Sequence, residues 1–526
     1  MQKPKYVVTK PQTVTQIENN LKDTEQQLNS VSPTVCLAKW LHVSLHLTNG
    51  KTHSCYHPQA HNINVNALDK NPSALHNTMQ KKGERYKMLQ GKKPKGCDYC
   101  WRAEELGARS DRIYRSSEHW ANPYFDIIKD ADHLDDINPT YVEVNFNQAC
   151  NFKCAYCSPH LSTTWEKEIK EFGPYKLLSI FNHNDLEYLD MPLNVPNDDN
   201  PYVKAFWKWW PDLYKNLHVF RMTGGEPLMD KNTYRVLNYI AKHPKNDLEV
   251  GITSNFCPHD PTLFDKFLNA VKKVQDVEQN IKLVSIKGKK YIVDKDTVSN
   301  NVIHKFECQD FPNINEQDVD PDTVFYRRDN KACKHIFLYV SCDNWGKRAE
   351  YGRSGLNFNQ LYNNVKTFLY ETHFTSICFI NTFNVFSVVG LTDFLTGILK
   401  LRKFVNSMKD ISGKNDTFNN YWNRRRVNFD VPLLTYPAWQ NINILPPKYQ
   451  SYLQDAIKFM QANHVDNLGD LLGFANFEIN KIKRNLEYMQ KNNSVSSKDF
   501  KLFFEEHDKR RKINLLDYFP EYADLL

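Results

Sequence analysis

Cys150-Asn151-Phe152-Lys153-Cys154-Ala155-Tyr156-Cys157 places three thiols in the spacing C-x3-C-x2-C. The segment follows Val142, Val144 and Phe146, which alternate with Glu143 and Asn145 as in a strand. Three thiolates on one flexible loop can wrap three corners of a [4Fe–4S] cube. A cube has four irons, so one stays open to bind a small molecule. His160, three residues on, offers the other reading, a structural zinc with a closed shell of four ligands.

The next strand, expected over Leu217–Met222, runs into Thr223-Gly224-Gly225-Glu226-Pro227. Paired glycines let backbone approach a ligand closely, and the carbonyls and the Glu226 carboxylate can accept from an ammonium group. Such a turn means little alone. One strand after the cysteine triad, the pair resembles the radical S-adenosylmethionine (radical SAM) superfamily over most of residues 141–432. The resemblance implies that Cys150, Cys154 and Cys157 hold a [4Fe–4S] cluster whose open iron chelates SAM. It sets Tyr156 against the adenine and Thr223, Gly224, Gly225 and Glu226 around the methionine amine. Ser254 and Asn255 end the third strand in a Thr-Ser-Asn segment, with Phe256 where many members have Gly. Ser341 and Asp343 with Gly346 resemble a ribose-contacting Ser-x-Asp-x-x-Gly, and Arg353 falls where similar members have an arginine near the SAM carboxylate. The plainer reading of these last three is a strand end and a helix cap.

Outward from the triad, strand, loop and helix repeat. Strands are expected at Tyr141–Asn147, Leu217–Met222, Leu248–Ser254, His335–Ser341, Ser376–Thr382 and Val427–Val431. Helices are expected between them, at Asn232–Lys242, Pro261–Val274, Leu356–Phe368 and Leu391–Phe404. Six such units predict an α/β fold with parallel strands and crossover helices. With the resemblance this becomes a partial (β/α)6 TIM-like barrel over 136–435. Residues 165–215, with Trp207, Trp209 and Trp210, and 276–332, with a hairpin near Gly288, are expected to be insertions near the active face. Residues 446–526 read as helical, at Tyr449–Asn463, Asn476–Gln490 and Lys498–His507, and 1–31 as a peripheral polar helix.

The second cysteine set lies before the barrel. Leu41, Val43, Leu45 and Leu47 alternate with His42, Ser44 and His46, Asn49-Gly50 signals a hairpin, and the return strand carries Cys55. Ser73–Gln90 reads as a helix, and Cys97-Asp98-Tyr99-Cys100 as a tight knuckle after it. Alternation predicts that His42 and His46 are solvated on the outer face. Cys36, Cys55, Cys97 and Cys100, with Trp40, Leu89, Gly91, Trp101 and Glu104 around them, resemble the twitch or SPASM auxiliary-cluster module of radical SAM maturases. That assigns residues 32–115 to a hairpin–helix module with a second, fully ligated [4Fe–4S] cluster. In familiar members the module follows the barrel, whereas here it precedes it. A structural zinc is the alternative for four thiolates.

Composition narrows the classes. The 526 residues are 41% apolar and 25% charged, which excludes global disorder. Net charge is only +7 and the basic clusters are short, so a nucleic-acid footprint is not expected. The most apolar stretch, Phe379 to Leu399, is interrupted by Asn381, Asn384 and Asp393, so no membrane span is expected. Met1-Gln2-Lys3-Pro4 has no apolar run, so no secretory signal is expected, and the 12 cysteines suit metal binding in a reducing setting, expected to be cytoplasmic. Of the other five, Cys257 and Cys342 follow strand ends and are candidate hydrogen-atom donors; Cys308, Cys333 and Cys378 read as buried hydrophobes.

The resemblance implies a chemistry: reductive cleavage of SAM to methionine and a 5′-deoxyadenosyl radical, then hydrogen abstraction from substrate. It implies a peptide, protein or related small-molecule substrate and a flavodoxin- or ferredoxin-type electron donor. A nucleotide or RNA substrate is a second reading, and a zinc-stabilised nucleic-acid-binding or scaffold protein a third.

Overall fold

The computed structural model describes residues 14–179, 184–275, 280–286, 289–294, 324–326, 332–372, 375–407, 426–465, 472–491 and 497–526. Cys308 and the turn at Gly288 lie outside them. The fold is mixed α/β around one large sheet. Its strands are β1 (His42–His46), β2 (Lys51–His53), β3 (Tyr141–Asn145), β4 (Val219–Thr223), β5 (Lys245–Ser254), β6 (Cys333–Ser341), β7 (Thr375–Ile380) and β8 (Val427–Asp430). Strands β3 to β8 lie side by side in chain order and all pair in parallel. Parallel neighbours need long crossovers, and the helices Pro201–Asn216, Lys231–Lys242, Pro261–Gln275, Phe358–Glu371 and Leu391–Ser407 stand between them in the chain.

Alternation divides the sheet into two chemistries. Val142, Val144, Phe220, Met222, Val250, Ile252, Leu338 and Val340 fill one face, each at most 1% exposed. Burying each such side chain stabilises the fold by about 1.5–3 kcal/mol. The opposite face carries Glu143, Arg221, Thr223, Thr253, Tyr339 and Ser341, all half-buried. Parallel registers such as Asn145 with Thr223, Val340 with Ser254 and Ser341 with Ile380 bring the carboxyl-terminal strand ends to one side of the sheet.

The amino-terminal hairpin extends this sheet. Strand β1 pairs in parallel with β3, His42 opposite Tyr141 and His46 opposite Asn145, and β2 returns antiparallel beside it. The outer edge is the short strand His61–Asn62. The expectation of solvated histidines fails here. His42 is fully buried among the rings of Tyr56, Trp120 and Tyr141, and His46 is half-buried against His53. Alternation assigns a side chain to a face but does not say whether that face is covered. Here Trp120 and the segment after Cys55 cover it.

Two further expectations change. Residues 165–215 are not one insertion. The tryptophan-rich part, Pro201–Asn216, is the crossover helix between β3 and β4, and Phe206, Trp209, Trp210 and Leu213 are buried in the main core. The Cys97–Cys100 knuckle is a short 3-10 turn, Lys95–Cys97, leading into the helix Asp98–Glu105, so Cys100 sits in the first helical turn. Within 276–332 the described residues form a three-stranded antiparallel sheet, Asn280–Ile286, Lys289–Asp294 and Val324–Tyr326. The carboxyl-terminal region is helical, at Gln450–Ala462, Asn476–Met489 and Ser497–Arg511. The amino-terminal helix Val14–Val31 buries Leu21 and Leu28 in the core around Trp40 and Trp120. Among the described residues, no helix is long and apolar enough to cross a membrane.

Candidate functional site

The loop after β3 is tied down from several directions. Cys157 N–H donates to the Cys154 carbonyl at 2.9 Å, a tight turn that follows from the x2 spacing. Residues Lys153–Cys154 pair antiparallel with Arg353–Ser354, Cys154 opposite Arg353. Ser162 Oγ and Thr164 Oγ1 both donate to the Phe152 carbonyl at 2.7 Å, Trp165 Nε1 to that of Cys154 at 2.9 Å, and Gln440 Nε2 to that of Ala155 at 2.9 Å. Buried carbonyls in an irregular loop need such partners, and here they come from the segment that follows the loop and, through Gln440, from a distant part of the chain.

The glycine turn packs against the start of this loop. Gly225 N–H donates to the Asn147 carbonyl at 3.1 Å and Glu226 N–H to that of Ala149 at 2.7 Å. Gly224 has φ +122°, and a Cβ there would stand 2.4 Å from Asn145 Oδ1. A Cβ on Gly225 would stand 2.4 Å from the Ala149 carbonyl oxygen. Only glycine allows this approach. Gly225 and Glu226 therefore lie directly beside the residues that lead into Cys150. Two buried acceptors here, Asn145 Oδ1 and Gln148 Oε1, have no hydrogen-bond partner among the described residues.

The remaining candidates divide into two groups. Glu226 faces inward: its Oε1 accepts from Ser254 Oγ at 2.6 Å and Leu228 N at 3.0 Å, and its Oε2 from Asn255 N at 2.7 Å. Glu226 and Ser254 thus join two strand ends, and Asn255 Nδ2 donates to Asn151 Oδ1 at 2.8 Å. Burial pushes the Glu226 carboxyl up to about 7. On the other side, Asp343 is 4% exposed and Arg353 3%, and they pair at 2.9 Å, Nε to Oδ2. Tyr156 OH donates to Asp343 Oδ1 at 3.3 Å and accepts from Arg353 Nη2. Thr223 and Ser341 are half-buried at their strand ends. Cys257 and Cys342 are buried, and their thiols point into local contacts. Cys257 donates to the Asn357 carbonyl at 3.5 Å and Gln360 Oε1 at 3.4 Å, and Cys342 to the Asn344 carbonyl at 2.9 Å.

The donor set fits an anionic ligand group. Burial pushes the thiols of Cys150, Cys154 and Cys157 up, that of Cys157 to about 12. Two donors oppose it: Phe152 N–H points at Cys150 Sγ at 3.4 Å and Arg353 Nη1 at Cys154 Sγ at 3.5 Å. Among the described residues, no three His, Cys, Asp or Glu side chains converge as one metal ion would need. Thiolates of a cube bind separate irons and need not converge in that way.

The second set shares one small pocket, partly open to solvent. Cys36, Cys55, Cys97 and Cys100 line it together with Lys39 and Arg112. Burial raises all four thiols, Cys55 to about 12 and Cys97 to about 11. Cys55 adopts φ +58°, at the bend where the hairpin turns away from the sheet.

Sequence reasoning missed a network on the polar face next to Cys55. Arg221 Nη1 donates to Tyr56 OH at 2.9 Å and Tyr141 OH at 3.2 Å and pairs with Glu143 at 3.3 Å, while its guanidinium lies over the Tyr339 ring. A Cβ at Gly251 would come within 2.9 Å of Arg221 Cγ. The signal was present: charged residues in mid-strand, Val142-Glu143-Val144 and Phe220-Arg221-Met222.

A cysteine loop and a glycine turn at the carboxyl-terminal ends of parallel strands have the layout of the radical SAM enzyme class. Comparison with known proteins finds partial matches. Over 115 residues, 22% of this chain and 27% of the relative, the chain is 32% identical to the GTP 3′,8-cyclase of Campylobacter lari. Over 118 residues, again 22% and 27%, it is 25% identical to that of Syntrophomonas wolfei. The chain thus spans about a quarter of the length of these curated relatives. No protein-family model matches it. Streptococcus suis SuiB bound to S-adenosylmethionine aligns at 10% identity over 81% of this chain and 70% of that one, with a TM-score of 0.29, too distant to carry an argument.

Proposed function

We propose that the protein is a radical SAM enzyme that acts on a peptide or protein side chain, with the central sheet curved as a partial (β/α)6 barrel. Cys150, Cys154 and Cys157 would hold a [4Fe–4S] cluster, and Cys36, Cys55, Cys97 and Cys100 a second one in a twitch-like module. The observation that carries the reading is the hydrogen bonding of Gly225 and Glu226 onto Asn147 and Ala149, immediately before Cys150. When bound, the first cluster supplies the electron that splits the sulfonium of SAM. The chain's own part is placement and exclusion of water. The Gly224–Gly225 backbone gives close approach, and the unpartnered Asn145 Oδ1 and Gln148 Oε1 offer acceptors to the amine. Cys257 and Cys342, turned into local contacts, are weaker candidates for a hydrogen-atom donor than their strand-end positions suggest.

The polar face bears on the substrate. Arg221 is paired with Glu143, and Lys481 with Asp430 at 2.7 Å, so these cations are already neutralised. This favours a peptide over a polyanionic nucleotide. The nucleotide reading is kept because the relatives that share a segment with this chain are named for GTP.

The test is anaerobic reconstitution of the full chain. We expect up to about eight irons for two cubes, and 5′-deoxyadenosine on adding dithionite and SAM. Colourless protein that holds only zinc and leaves SAM intact would overturn the proposal. Product analysis with peptide and nucleotide substrates separates the two readings.

A further inference from the structure

We propose that Arg353 sets the reduction potential of the cluster ligated by Cys154. The inference rests on the ligand assignment proposed above. Arg353 starts the two-residue strand paired against Lys153–Cys154, and its register partner is Cys154 itself. Its guanidinium is buried, with both terminal nitrogens hydrogen-bonded and Nε in an ion pair. Nη1 donates to Cys154 Sγ at 3.5 Å, Nε stands 2.9 Å from Asp343 Oδ2, and Nη2 donates to Asp343 Oδ1 at 3.0 Å and to Tyr156 OH. Asp343 is itself held, by Thr382 N–H at 3.0 Å and by Tyr156 OH at 3.3 Å. The cation is thereby fixed against the sulfur.

A fixed buried charge acts on a cluster in a definite direction. Reduction adds one electron, which makes the cluster and its thiolates more negative, and no bond or proton at Arg353 changes. A cation and an N–H···S bond at a ligand sulfur favour the more negative state and raise the potential. Asp343 stands behind the guanidinium and opposes it. The two residues should therefore move the potential in opposite directions, which a purely architectural role would not do.

The experiment is a potentiometric titration of the anaerobically reconstituted full chain, with dithionite as reductant and electron paramagnetic resonance of the reduced cluster as readout. At the potential that half-reduces the parent, Arg353→Gln should lower the reduced-to-oxidised ratio about tenfold, equivalent to about 59 mV for one electron. Asp343→Asn should raise that ratio, and Arg353→Lys, which keeps the charge but loses the fork, should fall between parent and Arg353→Gln. Unchanged potentials, or shifts of the same sign in Arg353→Gln and Asp343→Asn, overturn the inference. If Arg353→Gln loses iron and sulfide, the other two variants decide by the same signs. A parent that yields no reduced-cluster signal at all overturns the ligand assignment instead.

Discussion

The two cysteine sets each mix buried and half-buried thiols, but the chain holds them in different ways. Cys150, Cys154 and Cys157 sit on one loop whose carbonyls are satisfied by Ser162, Trp165 and Gln440 and whose side is pinned by Arg353. The partners reach across almost 300 residues of sequence (Gln440 to Ala155 is a separation of 285). Cys36, Cys55 and the Cys97–Cys100 pair come from three separate segments, yet all lie in the first hundred residues and wall a single cavity. One site is local in sequence and global in its support, the other dispersed in sequence and local in its support. The sheet joins them, because β1 pairs with β3, the strand that delivers Cys150. The second cavity is thus placed beside the polar face without following the parallel strands in the chain.

The comparison can be broken most severely at the loop. Cys154→Ala should abolish 5′-deoxyadenosine formation and remove about four of the eight irons expected for two cubes, checked by chromatography and iron analysis. Retained SAM cleavage would mean that the triad is not the SAM site. Cys97→Ala should lose a similar share of iron but keep SAM cleavage, now uncoupled from substrate modification. Intact turnover in this variant would remove any role of the second set in the reaction. Next in size is Gly225→Ala. Its methyl would press on the Ala149 carbonyl, so we expect a loss of about 1–3 kcal/mol in denaturant unfolding and weaker SAM binding, with the amino-terminal cavity untouched.

The smallest effect expected is a pH dependence. Glu226 titrates at about 7 in the folded protein against an ordinary 4.5, because burial disfavours its charge. A raised carboxyl favours the folded state while the unfolded chain is also protonated. Its contribution is full below about pH 4.5 and is lost as pH rises through about 7. Glu226→Gln should flatten stability over that window, by no more than about 1.4 kcal/mol per pH unit. An unchanged slope would show that another group titrates there.

Much of this was legible because short-range patterns carry it. The alternating strands, the amphipathic crossover helices and the C-x3-C-x2-C spacing are all properties of neighbouring residues, and the parallel order of β3 to β8 follows from strand–helix alternation. The tryptophan-rich helix reads as part of an insertion in the sequence because the spacing between strands says how much chain lies there but not that it packs on the sheet.

The amino-acid sequence by itself determined which residues can bear the chemistry: the thiols, the glycines at Gly224 and Gly225, and the charged pair Glu143 and Arg221 inside strands. Tertiary structure alone decided what those residues face. It buried His42, turned Cys257 and Cys342 into local hydrogen bonds, closed Glu226 onto Ser254 and Asn255, and locked Arg353 between Asp343 and Cys154. The physical reason is that periodicity encodes the side of an element on which a side chain lies. The partner it meets there is set by pairing and packing between segments far apart in the chain.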